Sequence, residues 1–132
     1  MNENRQRCNK KGSLGESMFA QEIFDRFNFQ AQDTPHKHPF DFHINNVRVE
    51  VKFTTFTTGA YRANLREHTS ADFDILVIIL CEDEMMFNPV WIIAPMTEVT
   101  QKHVKISDRL GAGKFEQYRN NWQLLEQAIK GE

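Results

Sequence analysis

Between residues 47 and 54 apolar and polar positions alternate without a break. Val47, Val49, Val51 and Phe53 fall on one side, and Arg48, Glu50, Lys52 and Thr54 on the other. A period of two is that of a half-buried β-strand. Asn45-Asn46, just upstream, suits a two-residue hairpin turn, because Asn tolerates the positive φ that tight hairpins demand. That turn sets a register in which Ile44 faces Val47, His43 faces Arg48, Phe42 faces Val49 and Asp41 faces Glu50. A slip by one residue would send Asp41 into the core.

A helical period marks both ends of the chain. Phe19, Ala20, Ile23, Phe24 and Phe27 form an apolar stripe, predicting a helix over residues 13 to about 29. Ser13-Leu14-Gly15-Glu16 fits a capping box at its start. Glu16 falls in the middle of the stripe, so it is either the capping carboxylate or a carboxylate aimed inward. Phe115, Tyr118, Trp122, Leu125 and Ile129 make a second stripe, predicting one closing helix over 115–130.

Between the helices, Tyr61, Ala63 and Leu65 alternate with Arg62, Asn64 and Arg66 in a short strand. Ile75–Cys81 is a continuous apolar run, as expected of a central strand covered on both faces. Residues 90–94 read as another strand ended by Pro95, 95–103 as a short helix or turn, and 104–106 as a minor strand. Polar, Pro- or Gly-marked loops fall at 30–39, 67–71, 82–88 and 108–114. Asp72 and Asp74 suit turn or cap roles before the apolar run. The fold expected is α/β (α+β), a mixed central β-sheet flanked by helices, with residues 1–12 as a flexible basic arm and 13–132 as one domain.

At 132 residues the chain has room for a single core. An apolar fraction of 40% with 11 Phe argues for a folded globule over a disordered chain. The net charge of −2 excludes binding of nucleic acid through a global basic field, though not through local patches. Cys8 and Cys81 have neither zinc spacing nor disulfide density, which suits a reducing compartment. No apolar run reaches membrane-spanning length and the N-terminus lacks an apolar signal core, so a soluble, cytoplasmic protein with no membrane partner is expected. His36 and His38 have no matching ligands nearby and favour solvent or phosphate contact over zinc. Gly111 and Gly113 lack the flanking pattern of a phosphate-binding P-loop.

The chemistry concentrates on the hairpin. Asp41 and Glu50 directly opposite would repel each other, and Lys52, two residues along the same face, relieves this only in part. A divalent cation would relieve it well, since Mg²⁺ sites are built from one or two carboxylates plus substrate phosphate. A lone Glu-x-Lys triplet is expected by chance about once in a chain of this composition, so register and context carry the signal. Arg62 and Asn64, placed on the face that carries Glu50, are candidate phosphate contacts. So are Lys10 and Lys11 in the arm and Arg109 and Lys114 in the last loop. An ordinary solvated face is the alternative for each.

Gly15-Glu16 on a helix, then Pro39-Phe40-Asp41, then Glu50-Val51-Lys52 on a hairpin strand resembles the PD-(D/E)XK nuclease superfamily over about residues 13–95. Phe40 separates Pro39 from Asp41, where the superfamily's name implies adjacency. The resemblance implies a restriction-endonuclease-like core and Mg²⁺-dependent cleavage of DNA, with Mn²⁺ able to substitute. It implies metal ligation by Asp41, Glu50 and the Val51 carbonyl, with Glu16 joining directly or through water, and Lys52 orienting or activating the attacking water. A chain this short has little room for a separate target-reading domain, so a homodimer or higher homo-oligomer on double-stranded or branched DNA is expected. Site-specific cutting and junction resolution both remain open. A non-catalytic nucleic-acid-binding module is the reading from another class.

Overall fold

The computed structural model describes residues 3–33, 41–65, 72–82, 89–100, 102–107 and 113–131, the side chains of 3–13, 33, 113 and 114 excepted. The hairpin forms in the expected register. Strand β2 (Phe42–Ile44) pairs antiparallel with β3 (Val47–Thr55), with Phe42 opposite Val49, His43 opposite Arg48 and Ile44 opposite Val47. Asn45 takes a φ of 54° in the turn, and its amide donates to the Ile129 carbonyl at 2.9 Å. The turn is thereby tied to the C-terminal helix.

Three more strands complete a mixed sheet. β1 (Gln32–Asp33) lies at one edge and β6 (Val90–Pro95) at the other, and β5 (Ile75–Cys81) runs parallel to β3, giving the order β1-β2-β3-β5-β6. All seven residues of β5 are buried, because strands flank it on both sides and both faces of the sheet are covered. β4 (Tyr61–Asn64) and β7 (His103–Ile106) pair with each other in a separate two-stranded ribbon.

The sheet divides the molecule into two cores. On one face, Phe19 and Ile23 from helix α1 (Glu3–Phe27) and Trp122, Leu125 and Ile129 from helix α2 (Trp122–Lys130) pack on Val49, Val51, Val77 and Ile79. On the other, Leu76, Ile78 and Leu80 pack under Tyr61, Ala63, Val104 and Ile106 of the ribbon. Alternation along β3 and β5 generates both surfaces, since successive side chains of a strand point to opposite faces.

Three expectations change. Helix α1 begins at Glu3, so Ser13 lies inside it and not at its N-terminus, and residues 3–12 are helical. Arg5, Gln6, Arg7, Lys10 and Lys11 are good helix formers, and no Gly or Pro precedes Gly12. The buried line of α1 is Gly15, Phe19 and Ile23 at four-residue spacing, while Phe24 is 47% exposed and Glu16 sits half-buried on the flank. Third, the closing stripe is not one helix. A 3₁₀ turn (Gly113–Tyr118) ends before Asn120, whose φ of 50° breaks the helical path and whose N–H donates to the Trp91 carbonyl at 2.6 Å. Asn is among the few residues that visit this left-handed region readily. Phe115 and Tyr118 therefore serve the ribbon-side core, and Trp122, Leu125 and Ile129 the helix-side core.

Candidate active site

Asp41 lies just before β2, its N–H donating at 3.1 Å to the carbonyl of Val49, the residue paired with Phe42. Its carboxylate accepts the Val51 N–H at 2.8 Å and is fixed by it. A strand residue sends its N–H and C=O to the same edge, so the Val51 carbonyl lies on the edge that Asp41 occupies. Glu50 is buried, at 6% exposure, and hydrogen-bonded to Asp41, with the Lys52 ammonium 3.7 Å from its Oε2.

Two carboxyls in one hydrogen bond need a proton between them. Burial, the hydrogen bond to Asp41 and the Asp41 charge push the Glu50 carboxyl from its ordinary 4.5 up to about 9; Lys52 opposes this and the Glu16 charge adds to it. At neutral pH Glu50 therefore holds a proton. The helix carrying Glu16 lies on the opposite face of the sheet, and Gly15 lets it approach: a Cβ there would stand 2.9 Å from the Cβ of Phe53. That Gly inside a helical pattern was the available signal, because Gly in a helix interior costs about 1 kcal/mol unless something needs the space.

Glu50, Lys52 and Thr54 share the face that the ribbon covers, with Glu50 abreast of Leu76 and Lys52 abreast of Ile78. Among the described residues, no group of three or more His, Cys, Asp and Glu is placed to hold a metal ion. The donors present, two carboxylates and a backbone carbonyl, are hard oxygen ligands. They fit Mg²⁺, which keeps several waters and needs only one or two carboxylates, and do not fit zinc held by nitrogen and sulfur.

The expected phosphate contacts fare unevenly. Arg62 and Asn64 do not share the Glu50 strand face; they point outward from the ribbon above it and are exposed. Strand pairing decides this, because β4 pairs with β7 and not with β3. The Arg62 guanidinium donates to the Thr57 and Thr58 carbonyls at 2.6 and 3.1 Å, and its backbone N–H to Thr54 Oγ1 at 3.2 Å. Lys10 and Lys11 lie on α1 and Lys114 on the 3₁₀ turn, all three with side chains outside the described set. Arg109, His36 and His38 lie outside the described residues.

The sequence reading missed the partner of Arg48. Its N–H, Nε and Nη2 bond the Asp74 carboxylate at 2.8, 3.3 and 3.0 Å, and Asp74 N–H returns to the Arg48 carbonyl at 3.0 Å. Partial burial pushes the Asp74 carboxyl up, but the Arg48 hydrogen bonds outweigh it and hold the group below the usual carboxylate range. Asp74 thus has the cap role expected of it, at the entry of the parallel β3–β5 pair. Two open grooves of about 590 and 500 Å³ run beside Phe24 on α1 and Phe29 in the connection to β1, and neither is lined by Asp41, Glu50 or Lys52.

No protein-family model matches this chain, and no curated protein matches it. Its architecture does have a counterpart. The fold is similar to that of a bacterial homing endonuclease, I-Ssp6803I. The TM-score is 0.70 over 92% of each chain, at 16% identity. A likeness at that identity speaks for the fold, the mixed sheet flanked by helices. No helix among the described residues is long and apolar enough to cross a membrane.

Proposed function

We propose that this protein is a Mg²⁺-dependent DNA endonuclease whose catalytic groups are Asp41, Glu50 and Lys52. One observation carries the reading: two carboxyls, one on β3 and one just before β2, are held in a hydrogen bond, one of them buried, with an ammonium 3.7 Å away. A purely structural role gives no reason for this, since a buried carboxyl beside another carboxylate is destabilising. A fold shared with a homing endonuclease supports it.

Asp41, Glu50 and the Val51 carbonyl would hold the cation, which when bound lowers the pKa of a water and neutralises charge building on the phosphate. Asp41 is preset for this by the Val51 N–H. Glu50 would have to release its proton to serve as the second negative ligand. Lys52, 30% exposed at its side chain, presents positive charge to the attacking water and the phosphate where bulk water is partly excluded. Glu16 adds negative potential from the far side of β3. Two copies in a homodimer, or more in a larger assembly, would bring one such site to each strand.

Supercoiled plasmid, random-sequence duplex and a synthetic four-way junction incubated with Mg²⁺ or Mn²⁺ test the reading. Cleavage is expected, and Asp41→Ala or Lys52→Ala should slow it at least 100-fold, the order seen when one charge-stabilising group is removed. Absence of cleavage on every substrate with either ion would overturn it. Preference for the junction over the duplex would select branched-DNA resolution over site-specific cutting.

A further inference from the structure

The ribbon of β4 and β7 carries a charge pattern that the catalytic reading does not use. Its inward residues, Tyr61, Ala63, Val104 and Ile106, are buried in the core beneath. Its outward residues are Arg62 and Asn64 on one strand and Lys105 and His103 on the other, all exposed. They stand in two cross-strand pairs, Arg62 with Lys105 and Asn64 with His103. Neither 57–65 nor 102–107 contains an Asp or Glu, although the chain holds 18 acidic residues against 16 basic ones. Positive charge has been gathered on this face while the molecule as a whole is negative.

Two cations directly opposite on a ribbon destabilise it, as two carboxylates do. The Arg62 guanidinium is partly steadied by the Thr57 and Thr58 carbonyls, which also fix where its remaining donors can point. The ribbon is anchored next to the catalytic row as well. Thr54 Oγ1 accepts the Arg62 N–H, and Thr54 lies on the same face as Lys52, two residues further along β3. That step is roughly 6–7 Å. The ribbon that carries Arg62 and Lys105 is therefore tied to β3 two residues beyond Lys52.

We infer that the outward face of this ribbon is the duplex-binding surface, seated in the major groove with Arg62, Lys105 and His103 as its contacts. B-DNA's major groove, about 12 Å wide, admits a two-stranded β-ribbon. Four residues of strand extend roughly 13 Å, the rise of about four base pairs. Lys105 and Arg62 meet phosphates, while His103, at the end of the ladder opposite Asn64, meets base edges. The inference rests on the nuclease reading for the identity of the partner as DNA.

Fluorescence anisotropy with a 30-base-pair random-sequence DNA duplex in EDTA reads binding without cleavage. The double variant His103→Ala/Lys105→Ala should bind at least tenfold more weakly, with a salt slope shallower by about 1 to 2. Lys105→Arg should keep affinity within about threefold, and Lys130→Ala, on α2 behind the sheet, should change it less than twofold. Both altered side chains are exposed and Lys105 opposes Arg62, so the melting temperature of the double variant should match or slightly exceed the parent's. An RNA duplex of the same sequence, whose major groove is too narrow to enter, should show no comparable loss. Equal losses on RNA and DNA would overturn groove seating in favour of plain phosphate attraction. Parent-like DNA binding by the double variant would overturn the ribbon while leaving the nuclease reading standing. A parent that neither binds nor cuts DNA would remove both.

Discussion

The two faces of the sheet are built from the same strands and answer to different demands. The helix-side face is apolar throughout: Phe19, Ile23, Val49, Val51, Trp122 and Leu125 close on one another. The ribbon-side face is apolar only under the ribbon, and at its β2–β3 margin it turns into Asp41, Glu50 and Lys52. One face maximises burial of hydrocarbon. The other gives up burial at its margin to hold a charge arrangement that lowers stability by itself. The difference shows what the stable face is for: it keeps β2 and β3 in a register that sets Asp41 beside Glu50, against their repulsion.

Substitutions on the helix side should therefore cost stability, and substitutions on the margin should not. Phe19→Ala, fully buried and 5.7 Å from the Phe42 ring centroid, should destabilise by about 3–5 kcal/mol in chemical denaturation. A loss under 1 kcal/mol would mean that α1 does not anchor the hairpin. On the margin the expected sign reverses. Glu50→Gln removes a group whose folded pKa, about 9, stands above its ordinary 4.5. Between these values the folded chain keeps a proton that the unfolded chain releases, so the Glu50 contribution is whole below the ordinary value and drains away as pH rises through the window. The parent, in EDTA, should lose stability from pH 5 to pH 9 relative to Glu50→Gln, reaching an order of 1–3 kcal/mol at the alkaline end. Parallel melting curves across that range would break the contrast between the faces. Adding Mg²⁺ should restore the parent at alkaline pH and leave the variant nearly unchanged.

The smallest effect concerns the point where helix and site meet. Gly15→Ala gains helix propensity of about 1 kcal/mol but sets a Cβ 2.9 Å from Phe53 Cβ. The crowding should outweigh the gain, leaving a net loss of about 1 kcal/mol. Because the helix must then back away from β3, the pull of Glu16 on Glu50 should weaken and the alkaline loss of stability should shrink. A variant with parental pH dependence would detach Glu16 from the site.

The hairpin was legible in the sequence because its information is local. Strict alternation, two turn residues and a two-residue loop leave one register that buries the valines, and it places Asp41, Glu50 and Lys52 together. The apolar run Ile75–Cys81 was legible for a similar reason, since only a strand covered on both faces can use seven apolar residues in succession. Helix ends were not legible. A stripe shows which face is buried but not where the backbone leaves the helical path, so Ser13 resembled a cap in mid-helix and Asn120 was passed over.

Long-range pairing was decided only by the tertiary structure. The alternation at Tyr61–Asn64 shows a strand without naming its partner, and pairing with His103–Ile106 instead of β3 is what lifts Arg62 and Asn64 off the Glu50 face. The same pairing brings His103 and Lys105 beside them, some forty residues away in the chain. Arg48 and Asp74 likewise meet because β3 and β5 run parallel. Local patterns specify elements and the side chains each presents. Which elements become neighbours is settled by burying all the apolar faces at once, and that sum exists only in the folded chain.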